Sequence, residues 1–259
     1  MLPSAPEPAA LHRFTADQPE PVSPTPPGVI RRAVFSQHWG DLAYLHWPVD
    51  PALVAPLLPP GTTPDTFEGQ TYVGLVPFQM SAVRIFGTPA LPYLSTFAET
   101  NIRLYAVDAR GRRGVVFRSL EATRLLPVLA ARASYHLPYL WARMAIVRDG
   151  PLRTYTSVRR WPGPRGAGGT IALRIGEPLV ADPLAHFLTA RWGLFSTWYG
   201  GRTVWAPVEH PPWPLHSAEL LQLADDLVVR AGLPAPTGAP HVMWSPGVPV
   251  RIGRPTLVR

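Results

Sequence analysis

The segment Phe97–Val107 constrains the fold of this chain more than any other, because it alternates without a break. Its odd positions hold Phe97, Glu99, Asn101, Arg103 and Tyr105, and its even positions hold Ala98, Thr100, Ile102, Leu104 and Ala106. Successive side chains of a strand point to opposite sides, so this is a strand with two different faces. Asp108–Arg113 reads as the turn and Gly114–Glu121 as the returning strand. If the two pair about Gly111, Val107 faces Val115, Arg103 faces Ser119, and Asn101 faces Glu121. One face then carries Glu99, Asn101, Arg103, Ser119 and Glu121 together.

The rest of the chain repeats this grammar. Ala33–Trp47 reads as a strand, and Asp50-Pro51 as cap and first turn of a short helix to Leu57. Thr66–Val83 holds a turn at Glu68-Gly69 and then the apolar strand Tyr72–Met80, and Phe86–Ser95 is a loop. Ala122–Ser134 reads as helix. Met144–Trp161 and Thr170–Gly176 read as strands joined by Pro162–Gly169, whose glycines suit a hairpin tip better than a phosphate cradle. Asp182 and Pro183 open a helix that ends before Gly193. Leu194–Tyr199 and Arg202–Val208 flank a Gly200-Gly201 hairpin turn. Ser217 opens a last helix to Ala231, with Leu220, Leu223, Ala224, Leu227 and Val228 as its apolar stripe. Hairpin-joined strands with three or four short helices make a β-rich α+β domain. Met1–Gly28, with eight prolines, reads as a disordered tail, and residues 29–259 as one domain.

Composition closes several chemistries. All 24 basic residues are Arg, so a lysine Schiff base, a pyridoxal-phosphate lysine and a standard P-loop are excluded. The absence of Cys excludes thiol nucleophiles, disulfides and cysteine metal sites. The net charge of +7 is scattered, and no nucleic-acid recognition motif accompanies it, so no nucleic-acid partner is expected. No apolar run approaches the ~18–20 residues that span a bilayer, and no signal-like segment is visible; the expectation is a cytoplasmic protein with no membrane partner. Oligomeric state is left open, a homo-oligomer included.

Two readings of the polar face stand side by side. It is either a solvated edge-hairpin face with ordinary ion pairs, or a site. In a site, Arg103 would clamp an anion, Asn101 would orient it, and Glu99 or Glu121, desolvated, would act as acid or base. Asn101 is the sole Asn of a chain whose Arg-for-Lys usage suggests codon bias, which gives its survival some weight. His38 and His46 lie eight apart on one strand and could share a side. They lack a third ligand, so no metal or other cofactor is expected. His210 and His216 flank Pro211-Pro212-Trp213-Pro214, which is either a structural plug or a lid with His210 as proton carrier. Ser119 and Ser196 lack a nucleophile-elbow motif, which argues against a serine hydrolase.

The ordered segments His38–Asp50, Thr66–Phe78, Phe97–Tyr105, Phe117–Ala122, His210–Leu215 and Ser245–Val250 resemble the uncharacterised YqjF-like family, over roughly Arg31 to Arg251. That family is in turn similar in fold to acetoacetate decarboxylase, which implies an antiparallel, cone-like double β-barrel around a largely apolar cavity. Phe97-Ala98-Glu99 resembles the decarboxylase strand that supplies a cavity carboxylate. His136-Leu137-Pro138-Tyr139-Leu140 occupies the place of its lysine turn, with Tyr139 nearest the lysine. The resemblance therefore implies Glu99 as a cavity carboxylate and excludes the covalent imine mechanism. Codon bias turns Lys into Arg; it does not readily explain Tyr.

Three functions follow as expectations. One is a small-molecule-binding barrel that performs non-covalent acid–base chemistry (lyase, hydratase or isomerase) on a small carboxylate or carbonyl compound. It would use Glu99, Arg103, Asn101 and Glu121, with Tyr139, Ser119, His38, His46, His210 and Trp213 around the ligand. The second is a non-catalytic carrier on the same barrel, and the third a protein-interaction role. The sequence does not decide whether the chain is an enzyme.

Overall fold

Every residue of the strand Phe97–Asp108 is buried, on both faces. A strand can be buried on both sides only where it separates two cores, and the apolar residues do divide into two clusters. Phe97 and Tyr105 belong to the first, and Ile102, Leu104 and Ala106 to the second. The alternation in sequence therefore distinguishes two interiors, not inside from outside.

The computed structural model describes residues 14–89, 95–124 and 136–258. In chain order the strands are β1 Phe35–Val49, β2 Thr62–Pro64, β3 Thr71–Ile85, β4 Phe97–Asp108, β5 Arg113–Ala122, β6 Tyr139–Asp149, β7 Leu152–Trp161, β8 Gly168–Pro178, β9 Gly193–Thr197, β10 Thr203–Glu209, β11 His216–Asp225, β12 His241–Ile252 and β13 Thr256–Leu257. The helices are α1 Pro51–Val54, α2 Pro183–Thr189 and α3 Leu227–Arg230. The sheet order is β13-β10-β9-β5-β6-β7-β8-β11-β12-β1-β3-β4-β2, with β5 also paired to β4 and β10 to β12. From β12 the pairings thus reach β5 by two routes besides β1-β3-β4: through β11, β8, β7 and β6, or through β10 and β9. Shared strands feed both cores. On β1, Leu42 and Tyr44 join the first cluster while Ala43, Leu45 and Trp47 join the second.

Two ladders, β5–β6 and β5–β9, are parallel, so the sheet is not wholly antiparallel as expected. A parallel pair needs a crossover of about a dozen residues or more, and the chain between Ala122 and Tyr139 is long enough to supply it.

The Asp caps stand where the sequence places them. Asp50 accepts from Ala52 N (2.8 Å) and Asp182 from Ala185 N (2.7 Å), each before a first-turn proline. Most of the expected Ala122–Ser134 helix lies outside the described residues. The expected helix from Ser217 to Ala231 is instead β11 followed by the four-residue α3. A bulge explains why the pattern misleads: Leu220 pairs Leu173, and after the register shift Leu223 pairs Ile171. The extra residue turns the strand's step of two into a step of three, which copies helical spacing. Likewise Met144–Trp161 is no single strand, because a turn at Gly150-Pro151 folds β7 back onto β6, with Asp149 opposite Leu152.

Residues 14–28, expected to belong to a disordered tail, make defined contacts, whereas 1–13 lie outside the described residues. Arg113 Nε donates to Glu20 O (2.6 Å), Trp192 Nε1 donates to Ser23 O (3.0 Å), and Val22 packs on the first core.

Candidate functional site

The face of β4 toward the first core brings Glu99, Asn101 and Arg103 together. Glu99 is only 2% exposed and accepts a hydrogen bond from the Tyr139 hydroxyl, at the start of β6 (2.9 Å). Burial raises its carboxyl to about 7, against the lowering pull of hydrogen bonds from Tyr139 and Asn101 and the charge of Arg103. Such a group exchanges a proton readily near neutrality. Burial also pushes the Tyr139 hydroxyl well up, with the Glu99 charge adding to it, so that hydroxyl stays protonated.

Arg103 is 7% exposed and donates from Nε to Asn101 Oδ1 (2.9 Å). Among the described residues no carboxylate stands within ion-pair distance of it. A buried guanidinium without a counter-ion is a ready site for an anion. Gly74, opposite both Arg103 and His46, leaves room for these two side chains to lie side by side. A Cβ there would stand 2.9 Å from Arg103 Cγ and 2.7 Å from His46 Nε2.

Around this trio sit aromatic groups with unspent polar atoms. Trp213 stacks on Trp39 (centroids 6.2 Å apart) and meets Tyr44 edge-on (5.6 Å). The buried Tyr44 Oη and Trp39 Nε1 have no hydrogen-bond partner among the described residues, whereas Trp213 Nε1 donates to Thr189 O (3.1 Å). Tyr105 donates to Leu188 O (3.0 Å) and so accepts from His46 Nε2 (2.7 Å). Burial, then the charges of Arg103, His241 and Arg191, lowers His46 well below the usual range. His210 packs between Trp192 and Trp213 with its Nδ1 on Pro211 O (2.8 Å), and burial lowers it to about 4. Both histidines are neutral at pH 7, so His210 is a poor proton carrier there.

Three expected members stand elsewhere. Near the turn Arg103 pairs with Phe117, not Ser119, and beyond it Arg118 is an extra residue, so Ile102 pairs with Ser119 and Thr100 with Glu121. The bulge flips parity and sends Ser119 and Glu121 to the opposite side of the hairpin from Glu99. There Glu121 is engaged by Arg159 through Nε (3.1 Å) and Nη2, and the Ser119 hydroxyl has no partner among the described residues. His38 and His46 do not share a face either. Asp41, at φ 47°, interrupts β1 between them, so Trp39 and Tyr44 share the first core while half-buried His38 points away.

The sequence reading missed the support beneath the site. Asp65 receives both Arg113 and Arg191, and the Arg191 guanidinium lies 4.6 Å from the Tyr105 ring centre and 4.2 Å from that of Phe187. No local pattern announces a pair as distant in sequence as Asp65 and Arg191. Tyr105 was legible, as the next odd position after Arg103. Among the described residues no three His, Asp or Glu side chains gather to hold a metal ion.

Comparison with known proteins places this geometry in context. The chain is 33% identical to the uncharacterized protein YqjF of Bacillus subtilis (strain 168) over 215 residues, 82% of this chain and 87% of that protein. Solved structures with similar folds include an acetoacetate decarboxylase-like enzyme from Sphingomonas wittichii RW1 (TM-score 0.59, 14% identity, 88% of this chain and 93% of that one). Another is the enduracididine biosynthesis enzyme MppR complexed with pyruvate (0.59, 18%, 90% and 91%). A third is the acetoacetate decarboxylase of Legionella pneumophila (0.56, 13%, 92% and 92%). The fold is thus that of the acetoacetate decarboxylase-like proteins. A family model described as an uncharacterized conserved protein, DUF2071, matches residues 36–249, and the chain belongs to that family.

Proposed function

We propose that the first core holds a small organic acid with a carbonyl group and moves a proton on it without a covalent intermediate. The observation that carries this reading is Glu99: buried, near-neutral in its titration, hydrogen-bonded by Tyr139, in a chain with no lysine. Arg103 takes the substrate carboxylate, and Asn101 holds the guanidinium through Nε. Tyr44 and Trp39 supply unspent donors for the carbonyl oxygen, where negative charge grows as Glu99 removes the neighbouring carbon's proton. Returning that proton to a different atom gives an isomerase outcome, and expelling a β-leaving group gives a lyase outcome. The two pairing routes to β5 support a double barrel, with this site inside one of its halves. One structural neighbour was solved with pyruvate, which suggests the probe.

The test is exchange of the pyruvate methyl protons with D2O, followed by NMR, beside pyruvate binding by thermal shift. The expected result is accelerated exchange that Glu99→Gln abolishes while binding persists, and binding that Arg103→Met abolishes. Binding without exchange in the native protein would favour the carrier reading. Neither binding nor exchange, with pyruvate or a panel of other small oxo acids, would sink the assignment.

A further inference from the structure

Away from the first core, the outer side of the β6–β7 hairpin forms an open cleft of about 820 Å3. It is lined by Trp141, Arg143, Arg159, Arg160, Trp161 and Arg165, the last on the loop to β8. A bulge gathers these groups at one end: Trp141 pairs Trp161 and Ala142 pairs Arg159, so Arg160 is extra and turns outward.

Arg159, on the floor, has an acidic partner, Glu121. Among the described residues no carboxylate lies within ion-pair distance of Arg143, Arg160 or Arg165. The aromatic side is equally open. Trp161 is 48% exposed, and the Arg160 guanidinium lies 4.9 Å from the Trp141 ring centre. A half-exposed indole beside guanidinium groups without acidic partners among the described residues offers a stacking face and positive charge to a ligand that is both flat and anionic.

We propose that this cleft binds a nucleoside polyphosphate, its base on Trp161 and its phosphates between Arg143, Arg160 and Arg165. Three unpaired guanidinium groups ask for more than one negative charge, and the volume falls within the range of small-ligand pockets. A nucleic-acid strand fits less well, because it needs a basic track that continues. Farther along the same hairpin Arg148 and Arg153 are both held by Asp41, and on β8 Arg174 is held by Glu219. Along this hairpin and β8, the described arginines beyond the cleft have acidic partners.

The probe is ATP, titrated calorimetrically into the full chain at low salt, beside tripolyphosphate, adenosine and oligodeoxythymidylates of increasing length. Saturable ATP binding is expected, with tripolyphosphate and adenosine each weaker by about tenfold or more. Arg160→Ala with Arg165→Ala should weaken ATP by about tenfold or more per guanidinium removed. Trp161→Ala should weaken ATP while leaving tripolyphosphate unchanged. Arg160, Arg165 and Trp161 are exposed, so unchanged near-ultraviolet circular dichroism shows that the variants fold. Absence of ATP binding would overturn the proposal, as would tripolyphosphate binding as tightly as ATP. So would oligonucleotide affinity that climbs with length and exceeds that of ATP.

Discussion

Glu99 and Glu121 stand on paired strands of one hairpin, both buried, and meet opposite fates. Glu121 faces the second core, where Arg159 engages it with two nitrogens. Glu99 faces the first core and has a tyrosine hydroxyl instead. Burial raises both carboxyls, but Arg159 pulls Glu121 back by hydrogen bonds and by its charge. Glu121 thus has a cation hydrogen-bonded directly to it, whereas Glu99 receives its hydrogen bonds from neutral donors and titrates near neutrality. The same contrast holds for the cations: Arg159 has an acidic partner, and Arg103 has none among the described residues. On one side of the hairpin the two charges are spent on each other; on the other, among the described residues, they are not.

Breaking the paired side should cost most. Arg159→Met leaves Glu121 buried without its cation, and removing one partner of a buried pair costs about 3–5 kcal/mol. Arg103→Met removes a guanidinium that has no acidic partner among the described residues and strands the Asn101 oxygen, worth about 1 kcal/mol. Urea unfolding of the two variants tests the comparison directly. Equal losses would mean that Arg103 is as structural as Arg159.

The next effect depends on pH. Folded Glu99 keeps its proton to about 7, against 4.5 for the ordinary carboxyl. Between those values the folded state binds more protons than the unfolded one, so this group's contribution to stability falls as pH rises. The loss is complete above the folded value and amounts to at most about 3 kcal/mol. Glu99→Gln cannot titrate, so it should gain on the native protein between pH 5 and pH 8 in urea midpoints. A gap unchanged across that range would show that Glu99 titrates as an ordinary carboxylate.

How much of this was legible follows from which signals are local. Period-two alternation is local, and it put Glu99, Asn101, Arg103 and Tyr105 on one face, where the structure has them. Asp caps before prolines are local too, and Asp50 and Asp182 cap as read. A bulge is one extra residue that any side chain can occupy. Those at Arg118, Asp41 and between Leu220 and Gln222 left no mark in composition, yet each reversed the face of what followed. They account for Ser119 and Glu121, for His38, and for the false helix after Ser217. Contacts such as Asp65 with Arg191 depend on the whole topology and have no local trace.

The smallest expected effect gives the finest version of the comparison, because it concerns two tyrosines of the first core. Tyr105 spends its hydroxyl fully, on Leu188 O and His46 Nε2, whereas Tyr44 buries a hydroxyl with no partner among the described residues. Removing a satisfied group strands its partners, so Tyr105→Phe should cost about 1–2 kcal/mol. Removing an unsatisfied one relieves a desolvation penalty, so Tyr44→Phe should leave stability unchanged or raise it by about 1 kcal/mol. The same Tyr44→Phe change should weaken binding of a small oxo acid, since the hydroxyl is unspent in the folded protein and available to a ligand. Thermal unfolding with and without pyruvate separates these effects. A Tyr44→Phe protein that loses stability with no effect on binding would place Tyr44 with Tyr105, among the groups the fold uses for itself.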